Sequence, residues 1–257
     1  MKPYLKVILT LALPIAAFIA FMAMPDDVEF FGEKIQKVKL FDDEETVLME
    51  DSMVASTPAD TADVFQVDTT KKRILLFGDS MVGVLRKHFS NYCSQNGDTL
   101  FSAVWYSSGS RHWAKTDTLE HFINLYKPDY LMICLCSNEL FRRDLDERDK
   151  DIKTIIDKMN RQNLPFIWVS PPNWKKDKGI TDLILKNVGA SRFFDSRELV
   201  LPRISDGAHP TVKGGIMWVD TLTKWLASPQ CAYPIRMEKP EKEYKPGAVT
   251  HLSPPKS

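Results

Sequence analysis

The residues KKRILLFGDSMVGVLRKHFSNY, positions 71–92, indicate the fold class of this chain. Residues 73–77, RILLF, place four consecutive apolar residues after Arg73 and predict a short buried strand. Gly78 ends that strand, because glycine permits a sharp turn where a side chain would clash. Residues 81–92 then repeat apolar side chains at helical spacing, so the stretch predicts one strand–turn–helix unit.

The same alternation of strand and helix continues to residue 226. Strands that alternate with helices indicate an α/β domain, here a three-layer α/β/α sandwich around a parallel five-stranded sheet. Ligands of such sheets bind beyond the carboxyl ends of the strands, which directs the search for a site. The predicted strands are residues 73–77, 100–105, 130–136, 165–169 and 192–194, and the predicted helices are residues 81–92, 118–125, 148–160, 181–185 and 212–226.

The residues before this domain predict a membrane anchor. In residues 1–24, lysines precede an uncharged run at the short end of the roughly 17 to 25 residues that span a bilayer. Acidic residues follow the run, so we expect a transmembrane signal-anchor with the folded domain on the extracytoplasmic, periplasmic side. A cleaved signal peptide is the alternative interpretation.

Charge and proline content divide the rest of the chain. Residues 25–70 contain thirteen acidic residues and three lysines, which predicts a mostly disordered acidic linker over residues 25–71. The proline-containing, charged residues 229–257 predict a disordered C-terminal tail. Residues 72–228 remain as the folded domain.

Composition argues against two classes of partner. Lysine plus arginine equals aspartate plus glutamate at 34 each, so the basic excess of a nucleic-acid-binding protein is absent. The sequence has no C-x-x-C motif and no histidine near Cys134 or Cys136, so we expect no metal and interpret both as buried thiols. The sequence leaves open whether Cys93 and Cys231 are oxidised.

Ser80 is the candidate nucleophile. It follows the Gly78 turn and begins a helix, where unpaired backbone N–H groups and the helix dipole favour developing negative charge. A hydroxyl there is placed to attack a carbonyl. The alternative interpretation is that Ser80 merely caps the helix.

His209 is the candidate base. It lies in the loop Ser-Asp-Gly-Ala-His-Pro, residues 205–210, directly before the last predicted helix. Gly207 permits a tight turn that brings Asp206 to the imidazole, and Pro210 keeps His209 out of a helix. A turn that caps the last helix is the alternative. The other four histidines lack such a setting, and we assign them to surface or structural roles.

Two further loops follow predicted strands. Gly109 can present a bare N–H after the second strand, and the amide of Asn138 can donate a hydrogen bond after the third. Together with the Ser80 N–H they would form an oxyanion hole with three donors. Ordinary turn chemistry is the alternative for each residue taken singly.

This ordered set of motifs resembles the SGNH hydrolases, also called GDSL-type esterases and lipases, over residues 72–227. The resemblance rests on Gly78-Asp79-Ser80, Gly109, Asn138, and Asp206 with His209. It implies a flavodoxin-like fold, a serine nucleophile, a histidine base oriented by aspartate, and an oxyanion hole completed by glycine and asparagine. Met81 stands where leucine is usual, and Cys136 and Glu139 replace the glycine and aspartate of the third block, which puts the geometry of that loop in doubt.

The resemblance implies a serine esterase that acts through an acyl-enzyme on Ser80 and needs no cofactor. Similar membrane-anchored domains add or remove acetyl groups on envelope polysaccharides, so we expect O-acyl esters, and O-acetyl esters first, of a cell-envelope carbohydrate as substrates. One alternative is an O-acetyltransferase working with a membrane-bound acyl-donor partner. A second is a non-catalytic envelope protein that binds a glycan or a partner.

Four side chains near the predicted site are candidates for substrate binding. Tryptophans stack on sugar rings and arginines hold anionic groups, although loop packing and solvated charges are the plainer interpretation. The candidates are Arg111, Trp113, Arg142 and Trp174.

Overall fold

The computed structural model describes Glu29, Phe30, Glu33, Lys34 and residues 65–254. The predicted signal-anchor, residues 1–24, and most of the predicted acidic linker lie outside the described residues. Among the described residues, no helix has the length and apolar character needed to cross a bilayer. Within the linker, Glu29–Phe30 (β1) pairs antiparallel with Glu33–Lys34 (β2).

The folded domain contains a fully parallel sheet of six strands in the described residues, where the sequence predicted five. The strand order is β7-β6-β5-β3-β4-β8. Without β8, this is the order of flavodoxin-like sheets, in which the first strand lies between the second and the third. The strands are β3 (Arg73–Gly78), β4 (Thr99–Trp105), β5 (Tyr130–Cys134), β6 (Phe166–Val169), β7 (Phe193–Phe194) and β8 (Ala248–Leu252).

Helices cover both faces of the sheet, as predicted. One apolar core lies between the sheet and α1 with α6, and a second lies between the opposite face and α2 to α5. The central strand β5 is buried along its whole length because both of its faces are covered. The helices are α1 (Met81–Asn96), α2 (Ser110–Lys115), α3 (Thr118–Tyr126), α4 (Leu145–Asn160), α5 (Ile180–Val188) and α6 (Val212–Leu226).

The C-terminal segment, which was predicted to be a disordered tail, contributes a strand to the sheet. Strand β8 adds to the free edge of β4, from Phe101 paired with Ala248 to Trp105 paired with Leu252. An edge strand presents unpaired N–H and C=O groups, and β8 satisfies them. The residues before β8 run along α1, where the side chains of Ser90 and Asn91 bind the backbone N–H groups of residues 247 and 244. The prediction was wrong because these partners are distant in sequence.

The domain also extends beyond its predicted start. Asp68 forms a parallel bridge with Ile235, with backbone hydrogen bonds of 2.9 Å to Pro234 and 3.0 Å from Arg236. The end of the predicted linker and the start of the predicted tail therefore stabilise each other. All four cysteines of the chain are buried and free, including Cys93 and Cys231.

Candidate active site

The turn between β3 and α1 places Ser80 at the carboxyl edge of the sheet. Gly78 has a φ of +146°, and a Cβ there would lie 1.8 Å from the carbonyl oxygen of Cys134. The backbone N–H of Asp79 donates to that same carbonyl at 3.1 Å. Only glycine fits this approach of two neighbouring strands, so the turn predicted from Gly78 is also a packing requirement.

Asp79 joins the Ser80 turn to the Asn138 loop. One of its carboxylate oxygens accepts the Met81 N–H at 3.0 Å, and the other accepts the N–H and the hydroxyl of Ser137 at 2.9 and 2.7 Å. The side chain is fully buried. Burial raises the pKa of Asp79 to about 6, against the opposing effect of these three hydrogen bonds. The middle residue of the Gly-Asp-Ser motif is thus a structural link between two loops.

The loop before α6 is held in place by Arg203. Its guanidinium donates to the carbonyl oxygen of Ala208 and, at 3.0 Å, to that of Asn173. Gly207 adopts a φ of +69°, which provides the predicted tight turn. The hydroxyl of Thr211 then caps α6 by accepting the Gly214 N–H at 3.1 Å. No local pattern indicated this role of Arg203, because its acceptors lie in two different loops.

The structure brings Ser80, His209 and Asp206 into one chain of hydrogen bonds. The Ser80 Oγ lies 2.7 Å from the His209 Nε2, and the Nδ1 of that ring lies 2.6 Å from the Asp206 Oδ2. The other Asp206 oxygen accepts the backbone N–H groups of Ala208 and His209, at 2.8 and 2.9 Å. This is the arrangement that a histidine needs in order to take a proton from a serine hydroxyl.

Electrostatics fix the direction of these hydrogen bonds. The backbone N–H and the side chain of His209, followed by the Ala208 N–H, lower the pKa of Asp206 to about 2. An ionised carboxylate only accepts hydrogen bonds, so the His209 Nδ1 carries the ring proton that it donates. In the neutral ring, Nε2 is then free to accept the proton of the Ser80 hydroxyl.

Asn138 and Ser80 each retain a donor suited to an oxyanion. Asn138 lies in a 3₁₀ turn, Ser137–Glu139, and its Nδ2 donates to the carbonyl oxygen of Ser108 at 3.0 Å. An amide nitrogen has two hydrogens, so one N–H of Asn138 remains. Within the described part of the chain, the Ser80 N–H makes no hydrogen bond.

Gly109 differs from its prediction as a bare donor. Its N–H donates to the Nδ1 of His112 at 2.9 Å. Gly109 is the N-cap of α2 and His112 the third residue of that helix, so the imidazole takes the place that Glu or Gln has in a capping box. The spacing of three residues was the available signal, but the sequence did not predict α2. In this conformation the Gly109 N–H, the third predicted oxyanion donor, is already hydrogen-bonded to His112.

The side chain of Glu139 supports the same loop. Its carboxylate accepts the N–H and the hydroxyl of Ser110 at 2.7 and 2.9 Å, and the Arg148 Nη1 at 2.9 Å. The side chains of Glu139 and Arg148 are each only 6% exposed. The buried ion pair therefore fixes the Gly109–Ser110 turn relative to Asn138.

The four predicted substrate-binding side chains lie elsewhere. Trp113 is fully buried and its Nε1 donates to the Ser108 hydroxyl at 3.1 Å, because it faces the core side of α2. Trp174 is partly buried and donates to the carbonyl oxygen of Ser137 at 3.0 Å. Arg142 is exposed and pairs with Asp144, and Arg111 is exposed. None of the four lines the cavity that contains Ser80.

That cavity has a volume of about 720 Å³ and opens beside Ser80 and His209. It lies between α1, the start of α6 and the C-terminal segment. Its lining includes Arg86, Tyr106, Tyr244 and His251, none of which the sequence assigned to the site. Arg86 was detectable in principle, since it follows Ser80 within the predicted helix. The residues from the C-terminal segment were missed because that segment was predicted to be disordered.

The described residues contain no group of three or more histidine, cysteine, aspartate or glutamate side chains arranged to hold a metal ion.

Comparison with solved structures finds a likeness to a lipase, Lip_vut3, from a goat rumen metagenome. The likeness has a TM-score of 0.46 and 16% sequence identity, and it covers 66% of this chain and 100% of the lipase chain. No protein-family model and no curated protein matches the sequence. A likeness of this size carries no argument about activity.

Proposed function

We propose that this protein is a serine esterase of the SGNH hydrolase type with Ser80 as its nucleophile. The observation that carries the proposal is the continuous hydrogen-bonded chain from Ser80 through His209 to Asp206, 2.7 and 2.6 Å in its two links. A helix-capping serine and a turn-forming aspartate do not need to share a histidine across 129 residues of sequence.

The proposed reaction begins with transfer of the Ser80 proton to the His209 Nε2. The Ser80 Oγ attacks the ester carbonyl, and the resulting oxyanion is held by the Ser80 N–H and the Asn138 amide. The intermediate then breaks its bond to the alcohol oxygen, which takes the proton from His209 and leaves an acyl group on Ser80.

Water completes the cycle. His209 removes a proton from a water molecule, whose oxygen attacks the acyl carbonyl, and the proton then returns to the departing Ser80 Oγ. Asp206 stays ionised and stabilises the imidazolium in both halves of the reaction. If a sugar hydroxyl replaces the water, the same steps transfer the acyl group, as the alternative O-acetyltransferase function requires.

The substrate class and the location are proposed from sequence alone. We propose O-acetyl esters of a cell-envelope carbohydrate as substrates and a domain held on the extracytoplasmic side by residues 1–24. The charge pattern around the apolar N-terminal run supports this location.

The test is turnover of a small aryl acetate by the full-length protein and by its Ser80→Ala variant. We expect the variant to lose at least about 10³-fold in kcat, as when a triad serine is removed. Adding a soluble oligosaccharide acceptor separates the two functions, since a transferase forms acetylated oligosaccharide and an esterase forms acetate. Equal turnover by both proteins would refute Ser80 as the nucleophile. A folded protein inactive toward all esters would favour the non-catalytic binding protein.

A further inference from the structure

The cavity beside Ser80 is a groove that follows α1. Ser80 begins the helix, and Val84, Lys87 and Asn91 continue the groove along it. At a rise of 1.5 Å per residue, the groove extends about 16 Å from the level of Ser80 to that of Asn91. The C-terminal segment forms its opposite wall. A substrate would therefore contact more than its ester group.

Arg86 is an unpaired cation in this groove. Its one hydrogen bond to a described residue runs from Nη2 to the carbonyl oxygen of Gly247, at 3.1 Å. Its Nε is buried and has no hydrogen-bond acceptor among the described residues, where Arg86 also forms no ion pair. Burial lowers the pKa of Arg86, and the opposing effect comes from Tyr106 and not from a carboxylate. Partial burial of an uncompensated charge is unfavourable, and an anionic ligand removes that cost.

The other charged groups in the groove do not neutralise Arg86. Lys87 adds a second positive charge, and His88 is already paired with Asp220 at 3.3 Å. Among the lining residues, which all belong to the described part of the chain, Glu243 is the one acid, and it forms no ion pair with Arg86. The groove therefore carries a net positive charge next to the site where an ester would react.

The backbone that holds Arg86 is itself firmly placed. The Gly247 N–H donates to the Ser90 hydroxyl at 3.0 Å. A Cβ on Gly247 would lie 2.3 Å from the carbonyl oxygen of Leu100, so this residue packs directly against the edge of the sheet. A guanidinium fixed on one edge keeps its remaining N–H groups available for a planar oxyanion, which it binds with two parallel hydrogen bonds.

We propose that the substrate carries an anionic oxygen group, a carboxylate or a phosphate, which Arg86 binds while the ester lies at Ser80. The inference rests on the proposed esterase function and names its substrate class. Arg86 lies six residues after Ser80, about 9 Å further along the axis of α1. The anionic group is therefore several bonds away from the ester carbonyl.

The first experiment compares esters that differ in this charge. The substrates are 4-acetoxybenzoate, its neutral methyl ester, and 4-acetoxyphenyl phosphate, and kcat/KM is measured for the full-length protein. We expect at least a tenfold preference for one anionic ester over the neutral one, expressed mainly in KM. Comparison of the two anionic esters distinguishes a carboxylate site from a phosphate site. Equal kcat/KM for all three esters overturns the proposal, whatever the variants do.

Variants then assign the preference to Arg86. We expect Arg86→Gln to reduce it to less than threefold and Arg86→Lys to leave an intermediate value, because lysine keeps the charge without the planar pair of donors. The matched control is Lys213→Gln, which removes the same charge from an exposed position on α6 outside the groove lining. A preference that survives in Arg86→Gln, or is lost equally in Lys213→Gln, contradicts the assignment.

Binding separates failure of this inference from failure of the esterase function. Isothermal titration of each of the two anionic esters into Ser80→Ala needs no catalysis. We expect binding that weakens at least tenfold in the Ser80→Ala, Arg86→Gln double variant. If the wild-type protein hydrolyses no ester but this difference holds, the anion site stands and the esterase proposal falls. If the esters are hydrolysed but the difference is absent, the esterase stands and the anion site falls.

Discussion

Removing the Glu139 carboxylate tests whether its buried ion pair with Arg148 supports the loop that carries Gly109. Glu139→Ala removes the acceptor of the Ser110 N–H and hydroxyl and the closest ion-pair partner of Arg148. All of these groups are buried. The loop that carries Gly109 then loses its support.

The magnitude follows from the groups left without partners. Removing one member of a buried ion pair costs about 3 to 5 kcal/mol. Arg148 keeps Asp151 and Asp144, at 3.4 and 3.5 Å, which partly compensate its charge. The Ser110 N–H, however, loses its acceptor, and leaving a buried donor unsatisfied lowers the free energy of unfolding by about 1 to 3 kcal/mol. We therefore expect a total loss of about 3 to 5 kcal/mol, or roughly 6 to 20 °C in Tm for a domain of this size.

The assay is chemical denaturation of the variant beside a matched control. Glu147→Ala removes the same side chain from the same partner, since Glu147 lies 3.5 Å from Arg148, but Glu147 is 63% exposed. We expect the control to cost less than about 0.5 kcal/mol, as exposed ion pairs do. If Glu139→Ala costs under 1 kcal/mol, or no more than the control, the ion pair does not support the loop as described.

Three further predictions concern the site. Gly78→Ala yields no folded protein by circular dichroism, because its Cβ would meet the Cys134 carbonyl, and a folded Gly78→Ala protein contradicts the close approach. The control is Gly83→Ala within α1, where the added Cβ would meet Val104 at an ordinary contact distance of 3.9 Å, and we expect it to raise stability by about 0.5 to 1 kcal/mol. His112→Ala frees the Gly109 N–H. If that group then binds the oxyanion, kcat for an aryl acetate rises by up to roughly tenfold, which corresponds to one net hydrogen bond. A kcat that is lower or unchanged means that Gly109 is not an oxyanion donor. Burial raises the pKa of Asp79 from 3.8 to about 6, so its contribution to stability is complete below about pH 4 and is lost as pH rises through 6, at up to about 1.4 kcal/mol per pH unit. We expect denaturation between pH 4 and 7 to show this slope in the wild-type protein and not in Asp79→Asn. Equal slopes in the two proteins refute the role of Asp79.

The regular elements of the domain were predictable from sequence because local patterns specify them. The helix predicted over residues 212–226 has those same bounds in the structure, and the strand predicted over 73–77 is longer by one residue. Continuous apolar runs mark strands covered on both faces, and Gly78 marks the turn that follows. The same logic placed Ser80 at the start of the first predicted helix and the loop of Asp206 and His209 directly before the last one.

The remaining features depend on partners distant in sequence. Strand β8 lies in a proline-containing, charged stretch of the sequence, and it joins the sheet because β4 offers a free edge. Trp113 was assigned to the site because nothing local showed that α2 turns it into the core. The Arg86 guanidinium is held by a hydrogen bond to the carbonyl oxygen of Gly247, 161 residues later in the sequence. For these residues the surroundings, and not the local sequence, decide the role.

The proposed function requires that His209 activates Ser80. A fluorophosphonate probe tests it directly, since only an activated serine reacts, and peptide mass spectrometry locates the label. We predict stoichiometric labelling of Ser80 in the full-length protein, and labelling at least about 10²-fold slower in a folded His209→Ala variant. An unlabelled Ser80, or equal rates in both proteins, would contradict the proposed active site.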